Sequence, residues 1–297
     1  MNRLRGGTAV VLAVLQLALA GCERKEAGGE TAPGKAYVLA KPDYELPPGV
    51  VFEIRQNGGM NDVPVEIKGR DRRLEGVMNS YGEKFLRGEM VSETEASFRV
   101  IDNRQVNGFS VKDAPAPDQS VVSPMEGKTI VFRKEEGEWR AMEIDGHPVP
   151  EELAASAASY RRYLRSDEVS LFGADPRTVG EKWTCDSDIP ADLLGLGEIQ
   201  IGTIEMEFTG VEGHGGLECA VLVGAIDVVV ETRLPGGGVM SMNFRGEMKT
   251  RRSTRFLYEV STDVTGEVEI GGALDNGMTI GGRGNFRSSR TTKLTSP

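Results

Sequence analysis

The cysteine at position 22 is the residue whose chemistry the sequence indicates most clearly, because it follows small residues at the end of an apolar segment. This segment has a basic start with two arginines and runs from Ala9 to Ala20, which is too short for a membrane span of about 20 residues. A basic start, an apolar stretch and small residues at the cut are the parts of a secretory signal peptide. The sequence therefore predicts a signal peptide over residues 1–21, cleaved between Gly21 and Cys22.

The tetrapeptide Leu19-Ala20-Gly21-Cys22 resembles the lipobox of bacterial lipoproteins. This resemblance implies thioether attachment of diacylglycerol to Cys22, cleavage before it and N-acylation. Acyl chains linked to Cys22 would hold the protein at a membrane, since each buried methylene contributes roughly 0.8 kcal/mol. The implied location is the cell envelope, facing the periplasm. Glu23, directly after the lipidated cysteine, slightly favours the outer membrane over the inner membrane.

Cys185 and Cys219 are the other two cysteines of the chain. In an exported protein, two such cysteines can form a disulfide. The alternative is that each remains unpaired and packs as a small hydrophobic residue. The sequence slightly favours the disulfide.

Charge composition limits the classes of partner. The chain has 35 Lys and Arg against 45 Asp and Glu, and the signal segment holds two Arg and no acid, so cleavage changes the net charge from −10 to −12. Nucleic-acid binding needs a clustered basic face, so we expect no nucleic-acid partner. Residues 22–36 are charged and rich in glycine, and they predict a disordered tether between the lipid and a folded body.

Residues with catalytic chemistry are sparse. His147 and His214 are the two histidines, and both lie beside Gly or Pro in predicted turns, so we expect no histidine metal site. No Gly-x-Ser-x-Gly motif occurs, and the glycine-rich stretches lack a P-loop lysine. Asp186 and Asp188 could bind a cation or act as an acid/base pair, but a solvated loop next to Pro190 explains them better. The sequence therefore predicts a protein that is not an enzyme and holds no cofactor.

The body after residue 36 has the pattern of a mainly β protein. The chain contains 38 glycines, spread among short alternating apolar runs. One helix is clear, with Pro150 near its start and an apolar stripe after it, formed by Leu153, Ala157, Tyr160 and Leu164. We therefore expect a first β region over 37–147, a helix and connection over 148–176, and a second β region over 177–297. These regions could form two domains, or one continuous sheet with the helix packed across it.

One stretch of the first β region is ambiguous. Leu74, Met78, Tyr81 and Phe85 have helical spacing. Three glycines lie among or just after them, and each penalises a helix by about 1 kcal/mol. The balance favours strands.

The most specific structural prediction concerns the C-terminal hairpin. The apolar residues of 254–270 and of 278–294 lie mostly at even positions, and only an odd-length loop, such as Asp275-Asn276-Gly277, keeps both apolar sets on one face. This register would pair Leu274 with Met278, Glu269 with Arg283, Glu259 with Lys293, Ile270 with Gly282, Val268 with Gly284 and Gly266 with Phe286. Large residues would then face glycines along the inner side. A change of alternation at Gly202-Thr203 also predicts a bulge.

These patterns predict long, curled antiparallel sheets with one apolar face, similar in pattern to the half-barrels of lipid-carrier lipoproteins and to β-rich envelope lipoproteins. The first hypothesis is that this face binds a lipid or another apolar ligand; the second is a structural or interaction lipoprotein with a filled core and an envelope protein as partner. The candidate ligand-facing residues are Met206, Phe208, Met240, Met242, Phe244, Phe256, Tyr258 and Phe286.

Overall fold

A computed structural model gives the fold of most of the chain after the tether. None of its helices is long and apolar enough to cross a membrane, within the part of the chain that is described. The described residues are 34–69, 73–111, 119–165, 168–185, 199–233, 238–273 and 277–296.

Strands dominate the structure, and many of them are 15 to 18 residues long. The strands are β1 (Ala36–Tyr37), β2 (Val51–Lys68), β3 (Arg73–Met90), β4 (Glu95–Val111), β5 (Gln119–Val122), β6 (Thr129–Glu135), β7 (Glu138–Ile144), β8 (His147–Pro148), β9 (Arg177–Thr178), β10 (Lys182–Cys185), β11 (Ile199–His214), β12 (Leu217–Arg233), β13 (Val239–Ser253), β14 (Tyr258–Ala273) and β15 (Thr279–Thr295).

Thirteen of these strands form one open antiparallel sheet in the described residues. Its order is β10-β11-β12-β13-β14-β15-β2-β3-β4-β6-β7-β8, with β5 paired to β4. The last strand of the chain, β15, pairs with β2, so the two β regions join in a single sheet. Of the two arrangements that the sequence left open, the structure has the continuous sheet, and this sheet is not closed into a barrel.

The predicted helix is present but short. Helix α1 covers Glu151–Ala158 after Pro150, and a 3₁₀ helix continues it over Ser159–Tyr163; a second short helix, α2, covers Val169–Phe172. Ala157, Tyr160 and Leu164 of the predicted stripe are buried, whereas Leu153 is half-buried. The ambiguous segment that begins at Leu74 lies in strand β3, as the glycines indicated.

The C-terminal hairpin has the predicted register over most of its length. Four predicted pairs are observed, namely Glu269 with Arg283, Ile270 with Gly282, Val268 with Gly284 and Gly266 with Phe286. Two details differ. Residues 254–257 form a turn rather than the start of a strand, and Glu259 contacts Arg252 instead of facing Lys293. The loop residues 274–276 lie outside the described residues.

Glycines on the inner face make room for large neighbours. A Cβ atom at Gly284 would lie 2.5 Å from the Val63 side chain, and one at Gly88 would lie 2.2 Å from the Phe52 ring. A bulge is observed in β11, but its register shift lies between Ile199 and Ile201, just before the predicted position at Gly202-Thr203. Such bulges increase local twist and bend the strands.

Two hydrophobic cores lie on the inner face of the sheet. The first core is built from strands β11 to β15 and β2, and Tyr37, Leu39 and Phe172 pack onto it. The second core combines β2, β3, β4, β6 and β7 with Tyr160 and Tyr163 of the helical segment. Residues 37–46, 151–165 and 168–172 therefore lie over much of the inner face. We call these segments the cover.

Candidate functional site

The residues predicted to face a ligand fill the cores in this structure. Seven of the eight are 5% exposed or less, and Met240 is half-buried against the first core. The first core contains Met206, Phe208, Met242, Phe244 and Phe286, and the second contains Phe256 and Tyr258. These seven side chains pack against protein and offer little surface to a ligand.

The segments that cover the first core are fixed by aromatic and hydrogen-bond contacts. Tyr37 packs edge-on against Phe208 at 5.6 Å between ring centroids. The indole nitrogen of Trp183 donates a hydrogen bond of 2.9 Å to the carbonyl oxygen of Leu171, next to Phe172. The cover is therefore bonded to the strands below it.

A buried ion network holds the same cover from the inside. Arg252 on β13 is fully buried, and its Nε donates a hydrogen bond of 2.5 Å to the carbonyl oxygen of Leu39. Its Nη1 donates to Glu259 on β14 at 2.7 Å and also forms an ion pair with Glu168, next to α2. One guanidinium thus bonds two sheet strands and both covering segments. Nothing in the local sequence pattern identifies this network, because its members come from distant parts of the chain.

The two carboxylates of this network have opposite pKa shifts. Burial, together with the negative charge of Glu259, raises the pKa of Glu168 to about 8. Burial alone would raise the pKa of Glu259 as well, but the charge of Arg252 outweighs it and lowers that pKa. A carboxyl pair with separated pKa values can serve acid/base chemistry. Here both groups are bonded to one arginine, which is an arrangement suited to holding the cover in place.

The inner face is less covered along the first half of β3 than elsewhere, although Met78 there and Phe109 on β4 also pack against the first core. The inner-face positions of β3 from Leu74 to Gly82 are all half-buried or exposed, whereas the inner-face positions of β11 to β14 are mostly buried. We call this strip the β3 trough and define it by Leu74, Gly76, Met78, Ser80 and Gly82. At about 3.3 Å per residue it is about 26 Å long.

Neighbouring strands extend the accessible surface of the trough. Phe109 on β4 lies opposite Met78 and is half-buried, and Asn107 lies opposite Ser80, whose hydroxyl donates to it at 3.0 Å. Val121 on β5 is 57% exposed and pairs with Gln105, which lies opposite Gly82. The trough thus combines apolar, small and polar side chains.

Cationic side chains lie beyond the Gly82 end of the trough. Lys84 on β3 donates a hydrogen bond of 3.1 Å to the hydroxyl of Tyr163, and Arg162 donates to the same oxygen at 3.2 Å. Arg290 on β15 donates to the hydroxyl of Tyr258 at 3.1 Å. These positions place positive charge at the border between the trough and the second core.

The structure does not contain the predicted disulfide, and its register explains why. Cys185 lies opposite Ile204 on β11, and Ile204 lies opposite Ile226 on β12. Cys219 is seven residues from Ile226 along the same strand, or about 23 Å. A disulfide needs Cα atoms within about 7 Å. Both thiols are buried, and Cys185 donates to the carbonyl oxygen of Leu171 at 3.1 Å.

Several sequence predictions fall on residues that the structure does not describe. The signal peptide over 1–21, the lipidated Cys22 and most of the tether lie outside the described residues, as do Asp186 and Asp188. The two histidines are described: His147 and His214 are both exposed at strand ends.

Comparisons with known proteins give no family for this chain. No protein-family model matches it, and no curated protein matches it. Among solved structures, one described as "Lipid-protein interactions in lipovitellin" aligns with a TM-score of 0.36 and 12% sequence identity. The alignment covers 85% of this chain and 26% of that chain, so this chain spans about a quarter of the lipovitellin chain. We therefore infer a function from the residues of this chain alone.

Proposed function

We propose that the protein is a lipid-anchored protein of the cell envelope that binds an amphipathic, lipid-like ligand in the β3 trough, without catalysing a reaction. The anchor is inferred from the lipobox-like tetrapeptide that ends at Cys22. The acidic composition supports acyl chains, rather than a basic surface, as the means of membrane attachment.

The observation that carries the binding proposal is the uneven filling of the inner face. Side chains fill it over β11 to β14, whereas Leu74 in the trough is 40% exposed, and Met78 and Phe109 are half-buried. Accessible apolar side chains interspersed with a few polar groups are typical of the lining of ligand sites. The mixed lining suits a ligand with both apolar and polar parts.

A binding role accounts for the chemistry of the described residues better than catalysis does. His147 and His214 lie exposed at strand ends. The one carboxyl pair with separated pKa values, among the described residues, is Glu168 with Glu259, and Arg252 bonds to both. Both carboxyl groups therefore serve to hold the cover in place.

The alternative is an interaction lipoprotein, and two observations favour it. Seven of the predicted ligand-facing residues are buried in filled cores. Among the described residues, strand β11 also has no partner on its β10 side beyond the short pairing with β10, and Ile201 on it is 74% exposed. An unpaired edge with an exposed apolar side chain can add a strand from a partner protein.

Native mass spectrometry of the purified protein separates these functions. We expect a co-purifying lipid, or uptake of an added fluorescent fatty acid in one-to-one ratio. Met78→Gln should weaken uptake, because it places an amide in the trough. Val77→Gln, whose side chain points to the other face of the same strand, is the matched control and should retain uptake. A protein without ligand that takes up no fatty acid would favour the interaction lipoprotein.

A further inference from the structure

Three cations lie around the buried ring of Tyr163 in a protein of net negative charge; Lys84 and Arg290 are half-buried and Arg162 is exposed. The Lys84 ammonium lies 5.7 Å from the centroid of the Tyr163 ring, the Arg162 guanidinium 5.0 Å and the Arg290 guanidinium 5.8 Å. Lys84 and Arg162 both bond to the Tyr163 hydroxyl. The like charges of Lys84 and Arg290, both half-buried beside this ring, are unfavourable unless an anion compensates them.

The carboxyl groups nearest these cations bond directly to another arginine and act on Arg290 only at longer range. Glu168 and Glu259 both bond to Arg252. Neither Lys84 nor Arg290 has a carboxylate within salt-bridge distance among the described residues, although most ion pairs of the sheet join cations to carboxylates on the same or adjacent strands. Without counting Arg162, the charged groups here among the described residues are Lys84, Arg252 and Arg290 against Glu259, because the Glu168 carboxyl, with a pKa of about 8, keeps its proton at neutral pH.

The positive charges of these cations change the pKa of the Tyr163 hydroxyl. Burial alone would raise the pKa of its hydroxyl, but the charges of Lys84, Arg162 and Arg290 outweigh that effect and lower the pKa. The hydroxyl thus lies where negative charge is stabilised. A ligand anion would have the same stabilisation.

Two buried polar atoms beside the cations lack a partner. The Nε atom of Arg290 and the Oγ1 atom of Thr292 are both buried, and neither has a hydrogen-bond partner in the described structure. Thr292 is 5% exposed and lies two residues after Arg290 on the same strand, so both side chains are on the inner face. A buried donor without a partner costs about 1–3 kcal/mol. An oxyanion can accept from both groups.

The β3 trough gives a route to these groups. Lys84 is the next inner-face residue after Gly82, and Gln56, which lies between Lys84 and Arg290 in the sheet register, is also half-buried. The cations are therefore adjacent to the accessible strip rather than sealed within a core. Apolar groups such as Leu74 and Met78 lie toward the opposite end of this strip.

We propose that Lys84, Arg290 and Thr292, with Arg162 at the margin, form a binding site for a carboxylate or phosphate group. In an amphipathic ligand this group would be the headgroup and its apolar part would lie in the β3 trough, a placement that rests on the proposed function. The anion site itself rests on the cations and the unpartnered donors, and it could equally accept free phosphate.

Isothermal titration with four probes tests this site: decyl phosphate, decanoate, neutral decanol and inorganic phosphate. We expect decyl phosphate and decanoate to bind more tightly than decanol. In Lys84→Gln and in Arg290→Gln, the preference for the anionic probes over decanol should fall about tenfold or more, since hydrogen bonds to charged groups are strong. Arg283→Gln, an exposed residue on the same strand as Arg290, is the control and should keep the preference.

Thr292→Val tests the site without removing a charge, so the site remains testable if Arg290→Gln does not fold. The Thr292 hydroxyl has no hydrogen-bond partner among the described residues, so an isosteric valine should leave stability unchanged or higher while it weakens anion binding. Equal binding of all three decyl probes to every variant would overturn the anion site and leave the trough function standing. Binding of inorganic phosphate without any decyl probe would support the anion site and contradict the trough. Binding of no probe would overturn both.

Discussion

Arg252 bonds the sheet to the cover. Its guanidinium bonds to Leu39 in the N-terminal segment, to Glu168 beside α2 and to Glu259 on the neighbouring strand. It also lies 4.4 Å from the centroid of the Phe172 ring. Removing one member of such a buried charge network strongly destabilises the folded protein, because each remaining partner is left uncompensated.

Substitution of Arg252 by methionine should therefore destabilise the protein strongly. The change leaves the Glu259 carboxylate without its cation and the Glu168 carboxyl without its hydrogen-bond donor, and the expected loss is about 3–5 kcal/mol in the free energy of unfolding. Urea denaturation measures this loss. Arg245→Met removes an exposed ion pair with Asp227 and should cost less than about 1 kcal/mol. Equal losses in the two variants would show that the network does not hold the cover.

The raised pKa of Glu168 predicts a dependence of stability on pH. From about pH 5 to about pH 8 the unfolded chain has lost the Glu168 proton, while the folded protein, with a pKa of about 8, still keeps it. Raising the pH therefore favours unfolding, with a slope of up to about 1.4 kcal/mol per pH unit. The stabilising effect of this group is full below pH 4.5 and is lost as the pH rises through 8.

Glu168→Gln should flatten this part of the stability curve, because the amide does not titrate. The neighbouring charges of Arg252, Glu259 and Arg290 remain in the variant. Chemical denaturation at several pH values gives the curve, and Glu267→Gln, on the exposed side of β14, serves as the control. A wild-type curve that rises between pH 5 and 8, and that Glu168→Gln leaves unchanged, would contradict the assignment.

At the scale of elements, local pattern was sufficient for the register of the C-terminal hairpin over most of its length. The alternation in β14 and β15, with an odd loop length, correctly predicted the pairs of Glu269 with Arg283 and of Gly266 with Phe286. Both are consequences of the two-residue period of a strand. The pairing of β15 with β2 was not predictable in this way, because it joins segments more than 200 residues apart in sequence.

Inner-face glycines set the packing of adjacent strands, and Gly88 provides a test. Its position on β3 accommodates the ring of Phe52, which also packs against Phe98 at 5.4 Å between ring centroids. Gly88→Ala should cost about 1–3 kcal/mol through overpacking. Gly210→Ala, where nothing lies within 4 Å of the added methyl group, should be close to neutral. Unfolding midpoints of the two variants compare these costs, and an equal cost would contradict the packing role.

The site was less predictable than the strands, because burial depends on which segments cover the sheet. The sequence identified Met206 and Phe244 as inner-face residues, and they are inner-face residues. It could not show that the segments containing Leu39 and Leu171 lie over one part of that face and leave Met78 accessible. Long-range contacts decide this, and strand periodicity carries no information about them.

At the scale of the whole molecule, one open sheet with a partly covered inner face would be held near a bilayer by Cys22. We expect Cys22→Ser to abolish incorporation of labelled palmitate and to move the protein from the membrane fraction to the soluble fraction. Cys219→Ala is the control, since this thiol is buried in the folded body. Retention of label by Cys22→Ser would contradict the lipobox interpretation.

Photo-crosslinking with a fatty acid that carries a diazirine in its acyl chain tests the central claim most directly, because it reports where the chain of a bound ligand lies. Peptide mapping of the labelled protein should locate adducts on the inner face of β3 and β4, near Leu74, Met78 and Phe109, and unlabelled fatty acid should compete them away. Adducts confined to β11–β15, or adducts that competition does not reduce, would contradict a ligand site in the β3 trough.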